Sequence, residues 1–414
     1  MTSKRYFLVV LILGTLSAIG PFSIDMYLPG FPGIAESLHT SVASVSLSLS
    51  SFFIGISAGQ LLYGPLLDRF GRKNPIYFGL SLYILASLGC AIAGSIEALI
   101  AFRFLQALGG CAGMVAARAL VRDIFPVQEN ARVFSLLMLV IGVSPMIAPT
   151  VGGYVTTHFG WHYIFIILAV LGASILTAVH FSLPEGQNPD ASLSLRPLKI
   201  LKNYFDVLIQ PQFYTYVFTG SLAGAGLYAY ISGSPYVFME LFKVTSQQYG
   251  WIFAFNALGL IIASQLNSVI LRRGARSESI IPIALAGQAL AAIALSIGSI
   301  FHWLNVPIAV GLLFLFLSCQ GFIFPNSSAL ALAPFAKKAG SASALMGGIQ
   351  MGIGAMVSAI VSWLTNNSAL PMSGTMAVCA VTGLVIVLAG ARKLRRQPTG
   401  EELQEASTEM VKTF

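Results

Sequence analysis

Charged residues in this chain fall in short clusters, and the stretches between them run apolar for about twenty residues at a time. As a helix, about twenty residues span about 30 Å, the thickness of a bilayer's hydrocarbon core. No other feature narrows the possible folds so far. Of 414 residues, 56% are apolar and 9% charged, against roughly 25% charged in a soluble domain. So few charges cannot coat a water-facing surface, which excludes a soluble enzyme, a nucleic-acid binder and a disordered scaffold. Cys90, Cys111, Cys319 and Cys379 all lie in apolar runs, so no disulfide framework is expected.

Apolar stretches bounded by charged or Pro/Gly-rich breaks predict an all-α polytopic membrane protein. Its twelve spans lie near 6–28, 42–67, 76–95, 97–121, 132–156, 161–183, 212–239, 247–271, 278–300, 304–333, 339–364 and 370–391. The first follows Lys4 and Arg5 as a signal peptide would, but it lacks a small-x-small cleavage site and carries Asp25. The basic residues set the orientation. Lys4, Arg5, Arg69, Arg72, Lys73, Arg122, Arg132, Arg196, Lys199, Lys202, Arg272, Arg273, Arg276, Lys337, Lys338 and the tail cluster Arg392–Arg396 all fall on one side; Lys243 alone falls on the other. Positive-inside bias puts both termini in the cytoplasm. The net charge of +8 is then a topological signal rather than a nucleic-acid footprint.

The widest gap, 184–211, is polar and carries four prolines. It divides the chain into an N-terminal bundle (1–183), a linker, a C-terminal bundle (212–391) and a polar tail (392–414). Each half has a basic loop after its second span: Asp68-Arg-Phe-Gly-Arg-Lys73 and Leu271-Arg-Arg-Gly-Ala-Arg276. A weak repeat of this kind marks secondary transporters whose substrate site lies near the midplane between two six-helix halves.

The most specific segment is Gly64-Pro-Leu-Leu-Asp-Arg-Phe-Gly-Arg-Lys73. Gly64 permits close approach of a neighbouring helix, Gly71 permits a tight turn, and Asp68 and Arg72 sit four apart and can meet. As isolated charges, Arg69 and Lys73 would need no role beyond orientation. Together the residues resemble the major facilitator superfamily signature between the second and third helices. The resemblance implies a gating latch at the cytoplasmic edge, with Arg122 and Asp123 after span 4 and Asp123 as partner of Arg72.

Span 4 contains Arg103-Phe-Leu-Gln-Ala-Leu-Gly-Gly110, which looks like the Arg-x-x-Gln-Gly motif of proton-coupled drug antiporters, with Ala107 in place of a glycine. A guanidinium at membrane depth is expensive and should face water or a counter-ion; the plainer alternative is an arginine snorkelling to the outer interface. Gln106 shares the motif. Arg118 lies fifteen residues on, roughly 22 Å along a helix, and is assigned to the inner mouth. Asp25, in Phe22-Ser-Ile-Asp-Met-Tyr-Leu-Pro-Gly-Phe-Pro32, is the only acid wholly inside a span. Desolvation favours its neutral form and a nearby arginine its charged form, so Asp25 paired with Arg103 would make a proton switch. A carboxylate hydrated by the outer loop is the alternative, and Glu240 at a span end is the next proton-site candidate.

Span 5 reads Gly142-Val-Ser-Pro-Met-Ile-Ala-Pro-Thr-Val-Gly-Gly153. Gly142, Pro145, Pro149, Gly152 and Gly153 are expected on one kinkable, close-packing face. The run resembles the Gly-Pro-x-x-Gly-Gly antiporter signature, with Ala148 replacing a glycine. With Ile24-Asp-Met-Tyr-Leu-Pro29, Arg122-Asp-Ile-Phe-Pro126 and Gly160-Trp-His-Tyr-Ile-Phe165, it resembles the Bcr/CflA drug-resistance subfamily. In the second half, Tyr228, Tyr230, Tyr236, Phe238, Asn256, Phe322 and Asn326 suit an amphipathic substrate; an aromatic belt or helix packing explains each equally well.

These residues lead to an expected function: a monomeric proton antiporter of the bacterial inner membrane, exporting small amphipathic compounds by alternating access. No metal-ligand pattern and no phosphate-binding loop is present in the sequence, so no cofactor is expected and the proton gradient would drive transport. A proton-coupled metabolite symporter and an integral membrane enzyme are the alternatives.

Overall fold

In the computed structural model, residues 3–186, 189, 197–335, 339–365 and 368–394 are described. Arg196, Lys337, Lys338 and most of the tail lie outside them. The described residues form helices and no strands, as a bilayer demands: with no water to satisfy backbone N–H and C=O groups, each segment must bond internally.

Six long helices make the first half: α1 (Ser3–Asp25), α3 (Val42–Phe70), α4 (Lys73–Ala91), α5 (Ile96–Ile124), α6 (Val127–Phe159) and α7 (His162–Ser182), with a short α2 (Phe31–Ser37) after α1. The second half is α9 (Pro211–Pro235), α10 (Ser246–Arg272), α11 (Ser277–Ile300), α12 (Val306–Leu332), α13 (Ala339–Leu364) and α14 (Leu370–Leu394). Between the halves lies α8 (Pro197–Leu208), a helix within the expected linker.

The boundaries depart from expectation where prolines act. Span 1 was expected to run to residue 28, but α1 ends at Asp25, and a 3-10 turn over Leu28–Gly30 carries Pro29 before α2 begins. Among the described residues, eleven helical segments are long and apolar enough to cross a membrane. The twelfth, α9, falls outside that set because it is rich in small and polar residues, among them Thr215, Thr219, Gly220, Ser221, Gly224, Ser232 and Ser234, all buried. It packs on α12, α13 and α14, so protein rather than lipid surrounds it, and small residues let the backbones approach. After Pro235 the helix widens into a π turn over Tyr236–Leu241.

Within the first half α5 packs on α3 and α4, α4 on α7, and α1 on α5 and α6; the halves meet mainly along α3–α13 and α6–α10. Each seam joins the second long helix of one half to the fifth of the other, the reciprocal pattern that a two-fold repeat generates. Bulky residues such as Phe78, Leu85, Val170, Leu290 and Val385 face outward and are exposed. They supply the lipid-facing belt.

The α4–α5 crossing depends on glycine. A Cβ on Gly109 would lie 2.6 Å from the Tyr83 backbone N, and one on Gly79 would run into Ala112. Neither contact can relax without moving backbone. Gly109→Val is therefore expected to cost about 1–3 kcal/mol and to lower the melting temperature in detergent, whereas Gly311→Ala, with nothing within 4 Å of the added carbon, is expected to leave it unchanged.

Candidate functional site

At the end of the bundle where the basic residues cluster, Gly71 stops α3 at φ 79°, a conformation that favours glycine. The turn swings Arg72 back over the helix end. Its Nη1 donates to Asp68 Oδ1 at 2.6 Å and its Nε to Asp123 Oδ2 at 2.7 Å. Lys73 reaches Glu185 at 3.2 Å. Arg72 is buried while Asp68 stays half exposed. Burial opposes the Arg72 charge most strongly, but the hydrogen bonds and charges of Asp123 and Asp68 outweigh it and hold the guanidinium above its ordinary range. The Arg72 ties lie within the first half, whereas Lys73 reaches the start of the linker. Arg69 lies near the Phe70 ring at 5.9 Å, and Arg122 is exposed. Gly64 instead faces the other half, 3.9 Å from Ala344 of α13 for an added Cβ.

Arg103 sits seven residues into α5, about 10 Å along its axis, and has zero exposure. This is not a snorkelling arginine. Its guanidinium carbon lies 4.1 Å from the Phe52 ring centroid and 4.6 Å from that of Tyr27, with Phe165 at 5.8 Å, a cation–π enclosure. Nη1 donates to Gln106 Oε1 at 2.6 Å, and Gln106 Nε2 donates to Ser87 Oγ at 2.7 Å. Ser87 Oγ donates to the Tyr83 carbonyl, and the Tyr83 hydroxyl bonds Ser23 Oγ at 2.7 Å. Arg103 Nε and Nη2 have no hydrogen-bond partner.

The expected pairing of Arg103 with Asp25 is not made. Among the described residues no acid lies within ion-pair distance of Arg103 and no hydrogen bond or ion pair reaches Asp25. The reason is azimuthal. Arg103 points into its own half, among Phe52 of α3, Tyr27 just beyond α1 and Phe165 of α7, whereas Asp25 lies in electrostatic reach of Tyr230 and Tyr249 of the second half. Asp25 is 4% exposed, so a hydrated loop carboxylate is also not what the structure holds.

The α6 motif grips the chain just beyond Asp25. A Cβ on Gly152 would collide with the Met26 carbonyl, and one on Gly153 would lie 2.8 Å from the Ser246 carbonyl of α10. Gly250 in turn lies against the Pro149 carbonyl. Gly142 faces Ile261 loosely, at 3.7 Å, and Pro145 lies one turn from Pro149 on the same helix. The motif thus presents two faces, one to the end of α1 and one to α10, because adjacent glycines point about 100° apart.

Of the second-half candidates, three approach the centre. Tyr228 packs edge-on against Phe53 at 4.7 Å and donates to Met351 Sδ. Tyr230 accepts from Asn256 Nδ2 at 3.1 Å, leaving Asn256 Oδ1 without a partner. The others do not join them. Asn326 is a structural knot, donating to Asn267 and the Phe322 carbonyl and accepting from Ser277, so both of its donors are taken by the fold. Phe322 packs in a satellite core with Val207 and Phe213. Tyr236 sits in the π turn beside Glu240, which pairs with Lys243; Phe238 is fully buried against Phe242. Arg118 is exposed, with Cys111 and Arg122 as electrostatic neighbours.

A serine cluster that sequence reasoning passed over joins the halves at the far end. Ser46 of α3 bonds Ser232 of α9 at 2.9 Å and accepts from Ser362 of α13 at 2.9 Å, and Ser50 bonds Ser358 at 2.8 Å. The four-residue spacings 46–50 and 358–362 were its sequence signal. Toward the basic end the same seam continues through Ser57 Oγ donating to the Gly348 carbonyl at 2.8 Å.

The Major Facilitator Superfamily profile matches residues 12–359. The chain belongs to this superfamily. It is 33% identical over 382 residues to the bicyclomycin resistance protein homolog of Haemophilus influenzae, covering 92% of this chain and 96% of that relative, in keeping with the Bcr/CflA resemblance. The multidrug resistance protein MdtL of Escherichia coli O6:H1 is 28% identical over 379 residues, covering 89% of this chain and 92% of the relative. Two solved transporters share the fold at low identity. A bacterial homolog of the human lysosomal transporter Spinster, inward-facing and occupied, superposes with TM-score 0.72 at 14% identity over 97% of this chain and all of that one. A D-xylose-proton symporter gives 0.73 at 15% over 92% and 97%.

Two predictions follow from the superfamily's helix contacts. Gly152→Ala is expected to abolish transport and lower the melting temperature, while Gly142→Ala leaves both near wild type; transport counts and melting curves on the pair decide it. Arg103→Met removes two unpartnered buried donors at similar volume. It also removes the Gln106 bond and the ring contacts of the guanidinium, so relief of the buried unpaired charge is set against lost partners, and the melting temperature is expected to shift little while transport is lost.

Proposed function

We propose that this superfamily member is a proton-coupled multidrug efflux transporter of the bacterial inner membrane, with both termini cytoplasmic. It would export small amphipathic compounds by alternating access, as a monomer and without a cofactor. The observation that carries the proposal is Asp25: a buried carboxyl, without an ion-pair partner among the described residues, at the junction of the halves. The printed names of the bicyclomycin and multidrug resistance relatives support the export direction, and the positive-inside distribution supports the orientation.

The chemistry follows from the cost of charge. A neutral Asp25 can stay enclosed beside Tyr230, whereas an ionised one demands water or a cation. When the cavity opens outward, Asp25 takes a proton from the outer side and drug leaves. Closure of the α6–α10 and α3–α13 seams at that end then encloses the neutral acid. Opening inward hydrates it, and release of the proton to the cytoplasm favours binding of the next substrate. Tyr228, Tyr230 and Asn256 offer an aromatic wall and an amide carbonyl to an amphipathic guest. The Arg72 cluster stiffens the cytoplasmic edge of the first half so that it moves as one body.

Everted vesicles with an imposed pH gradient test this. Asp25→Asn keeps size and most hydrogen-bonding capacity but cannot cycle a proton, so uphill export should fall to background while substrate still binds. Export undiminished in Asp25→Asn would defeat the proposal. Asp68→Asn removes one half-exposed charge from Arg72, a loss of about 1 kcal/mol; transport is expected to slow several-fold with insertion unchanged, read by initial rates in proteoliposomes.

A further inference from the structure

Helix α13 carries Met351-Gly-Ile-Gly354 and packs on α9 and α3. Glycine weakens a helix interior, and at position 354 the contact that needs it is specific. A Cβ there would collide with Cδ2 of the Tyr228 ring and lie 2.8 Å from Cε2 and 2.9 Å from Cγ. One side of the ring therefore rests on the bare backbone of α13. The Tyr228 hydroxyl reaches the preceding turn of that helix and donates to Met351 Sδ at 3.3 Å. Across the seam, Phe53 of α3 meets the ring edge-on, with centroids 4.7 Å apart, and Phe53 is itself fully buried. Tyr228 and Met351 stay half-buried. With α13 on one side of the ring and α3 on another, its accessible part opens between the halves.

We propose that Gly354 is a positioning residue for substrate choice, a role that rests on the efflux reading and adds a substrate class to it. By letting Tyr228 lie back against α13, it keeps the space between the halves wide enough for a compound with a fused-ring aromatic part. The reason is steric. Cγ is the root of the ring, so swinging the tip of the ring cannot relieve an added methyl group. The side chain would have to change its χ1 rotamer, a turn of about 120°. A helical backbone leaves tyrosine few such rotamers. The buried Phe53 closes the side toward α3 and the methyl closes the side toward α13, so the ring would stand in the space between the halves. A one-ring compound passes beside a ring so placed, and a fused-ring compound does not. Flat aromatic compounds are also the guests that a tyrosyl wall holds by offset stacking. The setting travels with the second half, to which Tyr228, Met351 and Gly354 all belong. Opening of the α3–α13 seam breaks the Phe53 contact and leaves the ring on its glycine.

The test compares one-ring and fused three-ring compounds of equal charge, in a cationic pair (benzyltrimethylammonium and ethidium) and a neutral pair (benzamide and anthracene-9-carboxamide). Accumulation of each in everted vesicles under an imposed pH gradient is measured for the wild type, Gly354→Ala, Tyr228→Ala and the double variant. The wild type is expected to carry both members of at least one pair. In Gly354→Ala the three-ring member should fall by about tenfold or more, the discrimination that one carbon in a pocket produces, while the one-ring member changes little. Gly352→Ala, whose added carbon meets only Ser57 Oγ at 3.4 Å, should leave the ratio of the two unchanged. Without the Tyr228 ring there is nothing to displace, so the double variant should match Tyr228→Ala for every compound. That comparison decides the matter even where Gly354→Ala alone does not fold. A three-ring to one-ring ratio unaltered by Gly354→Ala would overturn the proposal, as would a further loss in the double variant relative to Tyr228→Ala, the mark of a glycine needed only for packing. A wild type that carries only the one-ring members would overturn it too. A wild type that carries none of the four would defeat the efflux reading itself.

Discussion

The high cost of placing a polar group in hydrocarbon organises this protein. Backbone groups meet it by forming helices throughout the membrane-spanning part. Side chains meet it by finding partners inside the bundle, as the Asn326–Asn267–Ser277 knot and the Gln106–Ser87 pair do. Against that background, the groups that remain without partners stand out. Arg103 keeps two buried donors unsatisfied, and Asp25 is buried without an ion pair. Other buried polar atoms, Thr219 Oγ1 and Ser221 Oγ among them, also lack a partner among the described residues, but those are neutral hydroxyls, whereas Arg103 and Asp25 are groups whose charge or neighbours can change.

The ties within a half differ in kind from the ties between halves. Inside the first half, Asp68, Arg72 and Asp123 join helix ends through charge-assisted bonds, and Gly79 and Gly109 lock α4 to α5 through backbone contact. Between halves, the seams include serine hydroxyls, glycine faces, the Phe53–Tyr228 ring contact and the Ser57–Gly348 bond. A neutral hydrogen bond contributes only about 0.5–1.5 kcal/mol net, so such contacts can be exchanged for water when a seam opens. Strong ties inside and weak ties across are what rigid-body alternation of two bundles requires.

The relatives and the solved neighbours carry different kinds of information. Relatives matched along nearly their whole lengths establish the superfamily, while the two structures at 14% and 15% identity establish the shared fold alone. One of those neighbours is a symporter, so architecture does not decide the direction of transport. Export is supported instead by the motif along α6 and by the printed names of the resistance relatives.

The sequence by itself determined the helical class, the approximate positions of the spans and the residues of the charged turn. These depend on local facts: apolar run length, charged or proline-rich breaks, and an aspartate four residues before an arginine. Only the tertiary structure decided which way each buried side chain faces. A helical register orders residues around an axis, but the rotation of that axis is set by packing against its neighbours. That is why Arg103 and Asp25, similar in depth by sequence, point into different halves, and why Gly152 and Gly153 serve different contacts. The serine cluster and the seat of Tyr228 on Gly354 stayed hidden for the same reason: hydroxyls and glycines acquire meaning only when the surface opposite them is known.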